Sequence, residues 1–593
     1  MKNIDAKKPS LPKKSPETDA WFTAFFIENH LDYYTYPDHV STPEQIRFIV
    51  FTEEDERYYP CSDRMFEAIM NRNQSKFLQK KYHEILQKIL KLIDDQIEDK
   101  SEKAYLESLI KIKYQHETRD EIMIPSRLEK RLLGIFLNRT QIEDPYVCEK
   151  ALRNRRANKA LSSDALINAM NHGDIDDLKK PHTTLSGIRK ILHYLELERL
   201  LSLSVEHSLW ESDKAAGYTQ NDYIGFFNRR FSGNGVESLF DFLGALGKEK
   251  PLSKKILWLA DEAGEIMVDF AIINYLANLG HKIIIAFKEG PFFTKIDYYD
   301  AVEDEMLSKK LKGALFIPEK NLGKNELANM LRSDKNIIVI SDGTHENLNL
   351  LLSTTTFARI FKEVDGVISR GRDQRRRLFD THFQFTQNIY NISAGDDGSV
   401  LISFKPRHPC VIKFSHADLE EKSKTIIDQM KETGEKGMTV IFYSGIIGSI
   451  PGKIEMAKKI MSVSINLLRE QFAMTFIINP SEYYEPGMDA DDLIYMWEIV
   501  QRSGFIDIWR FQTYEDIVHA FQIMNKKVPP EWVGKDATFS TGCTKEMKIA
   551  LEVQQNYPEM QIIGPPQERF MRRKEYGIGK MYDQRLSGIC QQK

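Results

Sequence analysis

Residues 256–301 read ILWLADEAGEIMVDFAIINYLANLGHKIIIAFKEGPFFTKIDYYDA, and this stretch decides the fold. The apolar run 256–260 ends abruptly in Asp261-Glu262-Ala263-Gly264-Glu265. An amphipathic segment follows, then Gly280, then a second apolar run over 281–287. Two short apolar runs bounded by turn residues and separated by a helical pattern predict strand, acidic turn, helix, strand, which is a βαβ unit. Ligands of open α/β sheets gather at the carboxyl ends of the strands. A nucleotide site would carry a glycine-rich phosphate loop there, whereas this chain carries carboxylates. Such a position suits a hard cation such as Mg²⁺, with phosphate oxygens completing its shell.

Working outward, βα alternation predicts further strands at 314–317, 336–341 and 366–369, with closing strands at 399–404 and 410–414. Before residue 256 the chain reads as helical. Apolar residues recur at three- and four-residue spacing over 77–114 and 185–203, with dense charge between them. The segment GKEKPLSKK over 247–255 reads as a boundary loop. After a charged stretch over 416–436, a second α/β block has predicted strands at 438–443, 474–478, 505–511 and 561–563, and helices at 454–470 and 490–502. The predicted fold class is α/β: an N-terminal helical region (18–250), a Rossmann-like parallel sheet core (251–415) and a second C-terminal α/β domain (416–593), after a disordered tail (1–17). The end of the chain from 569 is basic and weakly patterned.

The 593 residues suffice for roughly two to four domains. With 42% hydrophobic and 28% charged residues the composition is that of a globular protein with sizeable cores. A net charge of −4 gives no support to nucleic acid or an anionic membrane as partner. Cys61, Cys148, Cys410, Cys543 and Cys590 are scattered and form no CxxC pair, which argues against a disulfide scaffold or a thiolate zinc site and for a reducing, cytoplasmic setting. The first residues are basic and proline-rich without the apolar stretch of a secretory leader, and no run approaches the ~20 apolar residues of a membrane span.

Three strand ends carry chemistry. The first has Asp261, Glu262 and Glu265, with Asp269 about two helical turns on. Its plain reading is an Asp261 N-cap with first-turn acids complementing the helix dipole. Its functional reading is a cation site, because unpaired carboxylates in a crevice are costly. The second follows 366–369, where Arg370, Arg372, Arg375, Arg376 and Arg377 fall within eight residues. Arginine forks grip phosphate oxygens, although a solvated basic helix start would look the same. The third is Ser341-Asp342-Gly343, which could cup a phosphate or be an ordinary βα turn.

In order and spacing these segments resemble the damage-control phosphatase family, also called acidic-residue-methyltransferase-like proteins and formerly domain of unknown function eighty-nine. The family's D-N-A-G-E motif with a later Asp is similar to Asp261-Glu262-Ala263-Gly264-Glu265 with Asp269. Its K-x-x-P…N-D-A-T-x-x-D-A resembles Lys288 to Pro291 followed by Thr294-Lys295-Ile296-Asp297-Tyr298-Tyr299-Asp300-Ala301. Its S-G/D-G resembles Ser341-Asp342-Gly343-Thr344, and its K-G-x-x-N-Y resembles Arg370-Gly371-Arg372-Asp373-Gln374-Arg375. A closing L-K-x-K-C strand resembles Phe404-Lys405…Cys410. The resemblance spans roughly 253–414. It implies a helical region, a Rossmann-like domain, a divalent metal (Mn, Ni or Mg) and a small phosphorylated metabolite as substrate.

The resemblance places the family's metal ligands at Asp261, Glu262 and Lys295 and its phosphate-gripping lysine at Arg370; with Lys295 unable to ligate, the candidate metal ligands are Asp261, Glu262 and Asp297, and the candidate phosphate grip is Arg370, Gly371, Ser341, Asp342 and Gln374. Asp261, Glu262 and Lys295 form the implied catalytic group. Two departures matter. The family's Asn is Glu262 here, and the Asp of N-D-A-T is Lys295, which cannot ligate a metal while protonated. Either Glu262 and Asp297 rebuild a metal site for phosphoester hydrolysis, or the Lys295 ammonium stands where the cation would be, giving a non-catalytic binding or regulatory protein. A carboxyl methyltransferase, suggested by the family's older name, lacks a glycine-rich loop for an adenosyl cofactor after the first strand.

The C-terminal block resembles no family. Its turn Ser444-Gly445-Ile446-Ile447-Gly448-Ser449-Ile450-Pro451-Gly452-Lys453 could present backbone amides to a phosphate, though its spacing is not that of a P-loop. Ser540-Thr541-Gly542-Cys543-Thr544 is a second candidate anion nest, or the seat of a buried cysteine.

Overall fold

The computed structural model describes residues 8–9, 15–53, 56–72, 75–172, 185–244, 253–450 and 453–571. Most of the predicted N-terminal tail, most of the 247–255 boundary loop and the basic end from 572 lie outside the described residues. Two compact units divide the rest, one within 1–322 and 332–408, the other within 323–331 and 409–593.

In the first unit the strands in chain order are β1 (Val50–Phe51), β2 (Phe231–Ser232), β3 (Lys255–Leu259), β4 (Lys282–Phe287), β5 (Leu315–Phe316), β6 (Ile337–Ser341), β7 (Gly366–Arg370), β8 (Gln384–Phe385), β9 (Ile389–Ala394) and β10 (Val400–Lys405). Eight of them form one sheet in the order β2-β10-β9-β7-β3-β4-β6-β5, while β1 and β8 pair separately. All neighbours in the large sheet run parallel except the β9–β10 hairpin. The strands are apolar and almost wholly buried because helices cover both faces, as parallel sheets require. From β3 the chain moves to β4 and onward in one direction, then returns to place β7 on the other side of β3. Such a reversal, here at the carboxyl ends of β3 and β7, is where open α/β sheets bind ligands.

The helix Glu265–Asn278 after β3 is buried over most of its surface, so its sequence is apolar nearly all round. Gly264 starts it at φ 85°, and a Cβ there would lie 2.3 Å from Trp210 Cβ. Only glycine allows the helical region to approach this closely. Asp261 and Glu262 precede the helix and do not cap it.

The predicted strand at 410–414 is not formed. A strand the sequence pattern did not indicate, β9, lies inside the sheet between β7 and β10 and is joined to β10 through Gly395-Asp396-Asp397-Gly398-Ser399, with Gly398 at φ 78°. Its alternation of polar and apolar residues (IYNISA) is weak, because both of its faces are buried.

The second unit holds β11 (Thr439–Ser444), β12 (Thr475–Ile478), β13 (Ile508–Phe511) and β14 (Gln561–Ile563), all parallel, in the order β12-β11-β13-β14. Phe442, Trp497, Trp509 and Phe511 lie in its main core with Ala328, which comes from the helix Lys324–Arg332. The turn after β11 is packed down: Ile446 and Ile450 are buried in an apolar cluster with Trp532, and Ser444 Oγ accepts from Trp509 Nε1 at 2.8 Å. Pro451 and Gly452 lie outside the described residues. Cys543 is buried behind a Ser540 cap, with Sγ 3.3 Å from the Gly445 carbonyl.

His382 ties the loop before β8 to the helix Asp63–Met70. Its Nδ1 lies 2.9 Å from Asp63 Oδ1 and its Nε2 3.1 Å from Glu56 Oε1. Burial lowers its pKa, but the bonds and charge of Asp63 and Glu56 outweigh burial and hold it above the ordinary imidazole value. A histidine raised on folding stabilises fully below its unfolded pKa of about 6.5 and loses that contribution as pH rises through the folded value. Urea midpoints of the wild type should therefore fall from pH 6 toward pH 8.5, and those of His382→Gln should fall less over the same window.

Candidate functional site

The backbone decides which side chains meet at the end of β3. Ala263 N donates to Thr294 O at 2.9 Å and Ile296 N to Asp261 O at 3.1 Å, so residues 261–263 and 294–296 run as a short antiparallel pair with Glu262 opposite Lys295. The Lys295 ammonium is thereby placed on Asp261 Oδ1, and 3.2 Å from Glu262 Oε1. Thr294 Oγ1 donates to Glu262 Oε2 at 2.5 Å, and Arg153 Nη1 stands 4.0 Å from the same oxygen. Lys295 and Asp261 are each 5% exposed.

Burial pushes the Asp261 carboxyl up to about 6, against the pull of Lys295. Burial also opposes ionisation of Glu262, but Lys295 and Thr294 outweigh it and hold the carboxyl below its ordinary value. Lys295 is held well above its ordinary value: burial works against the ammonium, and Asp261 and Glu262 override it. At neutral pH both carboxylates and the ammonium are charged, leaving one net negative charge. Two acids bonded to a firmly protonated lysine are a poor seat for a divalent ion, which needs those same oxygens free. The residues at the end of β3 do not fit a metal.

Asp297 does not join this group. As N-cap of the helix Tyr298–Glu303 it accepts from Tyr299 N and Asp300 N, both at 2.9 Å. Its other oxygen faces Lys150 at 3.5 Å. Asp144, Asp297 and Asp300 do form a group of acids close enough to share an ion. Lys150 Nζ occupies it, 2.6 Å from Asp144 and 2.5 Å from Asp300, with its side chain 3% exposed. A lysine again stands where an ion could stand.

Arg370 is also placed differently from a phosphate grip. Its side chain is fully buried on the same face of the sheet as the helix Glu265–Asn278. Nε donates to Asp269 Oδ1 at 2.9 Å, and Nη2 to Glu265 Oε1 at 3.0 Å and to Ser204 O at 2.6 Å. Nη1 donates to Ile392 O at 3.2 Å. Trp258 Nε1 supplies the other oxygen of Asp269, at 3.0 Å. Burial pushes Glu265 up to about 8, against the pull of Arg370. Every edge of the guanidinium is taken, and none faces an external phosphate. The other four arginines of the run are spread over Ala394 O and Asp396, Ser403, Asp373 and Pro60 O.

The remaining expected phosphate contacts are similarly occupied. Gln374 bridges strand ends, giving Nε2 to Ala260 O and taking Arg370 N on Oε1, each at 3.1 Å. Asp342 is bound by Lys288 at 2.5 Å and by Thr344. Ser341 Oγ bonds Glu289 and accepts from Gly343 N. Gly371 does lie at the first site: with φ 74°, its Cβ position would be 2.7 Å from Asp261 Oδ2. Asp261 and the Arg370-Gly371 turn therefore lie side by side at neighbouring strand ends. Lys150, Arg153 and Asn154, which binds Gly264 N at 2.7 Å, come from the helix Val147–Leu161, whose charge-rich sequence gave no sign of a site.

Among the described residues no helix is long and apolar enough to cross a membrane. A family profile described as "Damage-control phosphatase ARMT1-like domain" matches residues 77–422. Among solved structures the chain is similar to a DUF89 family protein from Pyrococcus horikoshii, with a TM-score of 0.37 and 15% identity over 54% of this chain and 96% of that one. No curated protein matches the chain.

Proposed function

This chain belongs to the damage-control phosphatase ARMT1-like family, and from that premise we propose that it binds a small phosphorylated metabolite at the carboxyl ends of its large sheet with the Lys295 ammonium in place of a divalent metal. The family carries a phosphatase-type or metabolite-repair role. In this member the cation is built into the chain, which makes it a binding or regulatory protein rather than a metal-dependent hydrolase. The observation that carries the reading is the buried contact of Lys295 with both Asp261 and Glu262. Metal-assisted hydrolysis needs an ion that polarises a phosphoryl oxygen and orients water, and a protonated amine offers no coordination site for either.

The test is elemental analysis of the purified protein after incubation with Mn²⁺, Ni²⁺ or Mg²⁺, together with phosphate release from p-nitrophenyl phosphate. The expected result is no stoichiometric metal and no release above the buffer rate. One equivalent of tightly bound metal with metal-dependent turnover would overturn the reading in favour of a hydrolase.

A further inference from the structure

Glu265 and Asp269 turn one side of the helix Glu265–Asn278 toward Arg370. Met267, Phe270 and Ala271 lie on its opposite side, at three- and four-residue spacing. There they line a cavity of about 290 Å³. Its other walls come from the end of the helix Val147–Leu161, from the helices Asp164–Met170 and Leu185–Leu203, and from the last residue of the helix Glu305–Lys310. None of the residues at the ends of β3, β6 or β7 lines it.

The lining is mostly apolar. Leu203, Met267 and Phe270 are buried, while Ile167 and Lys310 are exposed, so the cavity opens to solvent beside them. Apolar surface in a concave opening is costly to leave in water, and a ligand that covers it recovers that cost. Ligand pockets share this make-up, apolar walls with a few polar groups that fix orientation. The polar groups here are the Lys310 ammonium and the side chains of Ser162, Asn171 and Asn274; no carboxylate lines the cavity. Lys310 makes no ion pair or hydrogen bond among the described residues. Its neighbour Lys309 is the lysine that pairs with Glu305.

A volume of this size holds roughly ten water-sized groups, which suits a short alkyl chain with a small head. We propose that the cavity binds a small amphipathic carboxylic acid, its alkyl chain of about eight carbons against Met267, Phe270 and Leu203 and its carboxylate on Lys310. A single ammonium matches one negative charge, whereas a phosphate calls for an arginine fork or several converging donors, and no arginine lines the cavity. The apolar walls supply affinity in proportion to the chain they cover, and Lys310 selects the charged head. The cavity is separate from the strand-end group, so its ligand is independent of whether Lys295 or a metal occupies that group.

The test is calorimetric titration of the full chain with sodium octanoate below its micellar concentration, beside hexanoate and 1-octanol. Octanoate should bind the wild type, and hexanoate about ten-fold more weakly, since two fewer methylenes are buried. Octanol should bind several-fold more weakly than octanoate for want of the charge. Lys310→Gln should bring octanoate down to the affinity of octanol and leave octanol itself within about two-fold. Ala271→Trp, which places an indole in the cavity, should abolish binding of both. Absence of octanoate binding, equal affinity for hexanoate and octanoate, equal octanoate affinity in wild type and Lys310→Gln, or octanoate binding undiminished in Ala271→Trp would overturn the assignment. Lys310 is exposed, so Lys310→Gln keeps the test decisive should Ala271→Trp fail to fold.

Discussion

Arg370→Met is expected to destabilise the first unit by about 3–5 kcal/mol, the range for removing one partner of a buried ion pair. Methionine replaces the aliphatic stem but none of the donors. Asp269, wholly buried, would keep only the Trp258 indole N–H, while Ser204 O and Ile392 O would lose their donors. Arg370→Lys should recover less than half of the loss, because one ammonium cannot span acceptors on Asp269, Glu265 and two separate carbonyls. Urea unfolding followed by tryptophan fluorescence reads the effect, since Trp258 touches the same carboxylate. A loss below about 1 kcal/mol, the level of an ordinary hydrogen bond, would mean that the guanidinium is free to serve a ligand, and Arg370 would return as the phosphate grip.

The contrast between the two roles of Arg370 shows where the sequence stops speaking. Strands β3, β4, β6 and β7 follow from short apolar runs closed by polar turns, and their parallel order from the helices between them. The second unit's strands are legible for the same reason. What local spacing cannot give is the face on which a strand-end residue lies. Ser369 and Arg370 are adjacent in β7 and point to opposite sides. Ser369 meets Asn391, and Arg370 meets acids about a hundred residues earlier in the chain. With both faces of β7 buried, no polar–apolar alternation marks the difference. Asp297 was more readable, since Asp297-x-x-Asp300 at a helix start is a capping pattern. That pattern competes with metal ligation for the same oxygens, and here capping prevails.

Lys295→Asp should give the first unit a stability that depends on a divalent ion. The substitution removes the ammonium from Asp261 and Glu262 and adds a third carboxylate, restoring the residue type found in the resembling N-D-A-T motif. In EDTA the variant should lose about 3–5 kcal/mol, because buried like charges are left uncompensated. Mn²⁺ at a hundred-fold excess over its dissociation constant should return about 2.7 kcal/mol, by preferential binding to the folded state. Thermal melts with and without Mn²⁺ measure both effects, and Lys295→Met serves as the control that loses the ammonium without gaining a ligand. The wild type should melt at the same temperature in EDTA and in Mn²⁺, since the Lys295 ammonium already bonds both acids. A variant as stable as the wild type in EDTA, or a wild type shifted by Mn²⁺ as far as the variant, would show that Lys295 does not hold the cation position, and the metal-free reading of the crevice would fall with it.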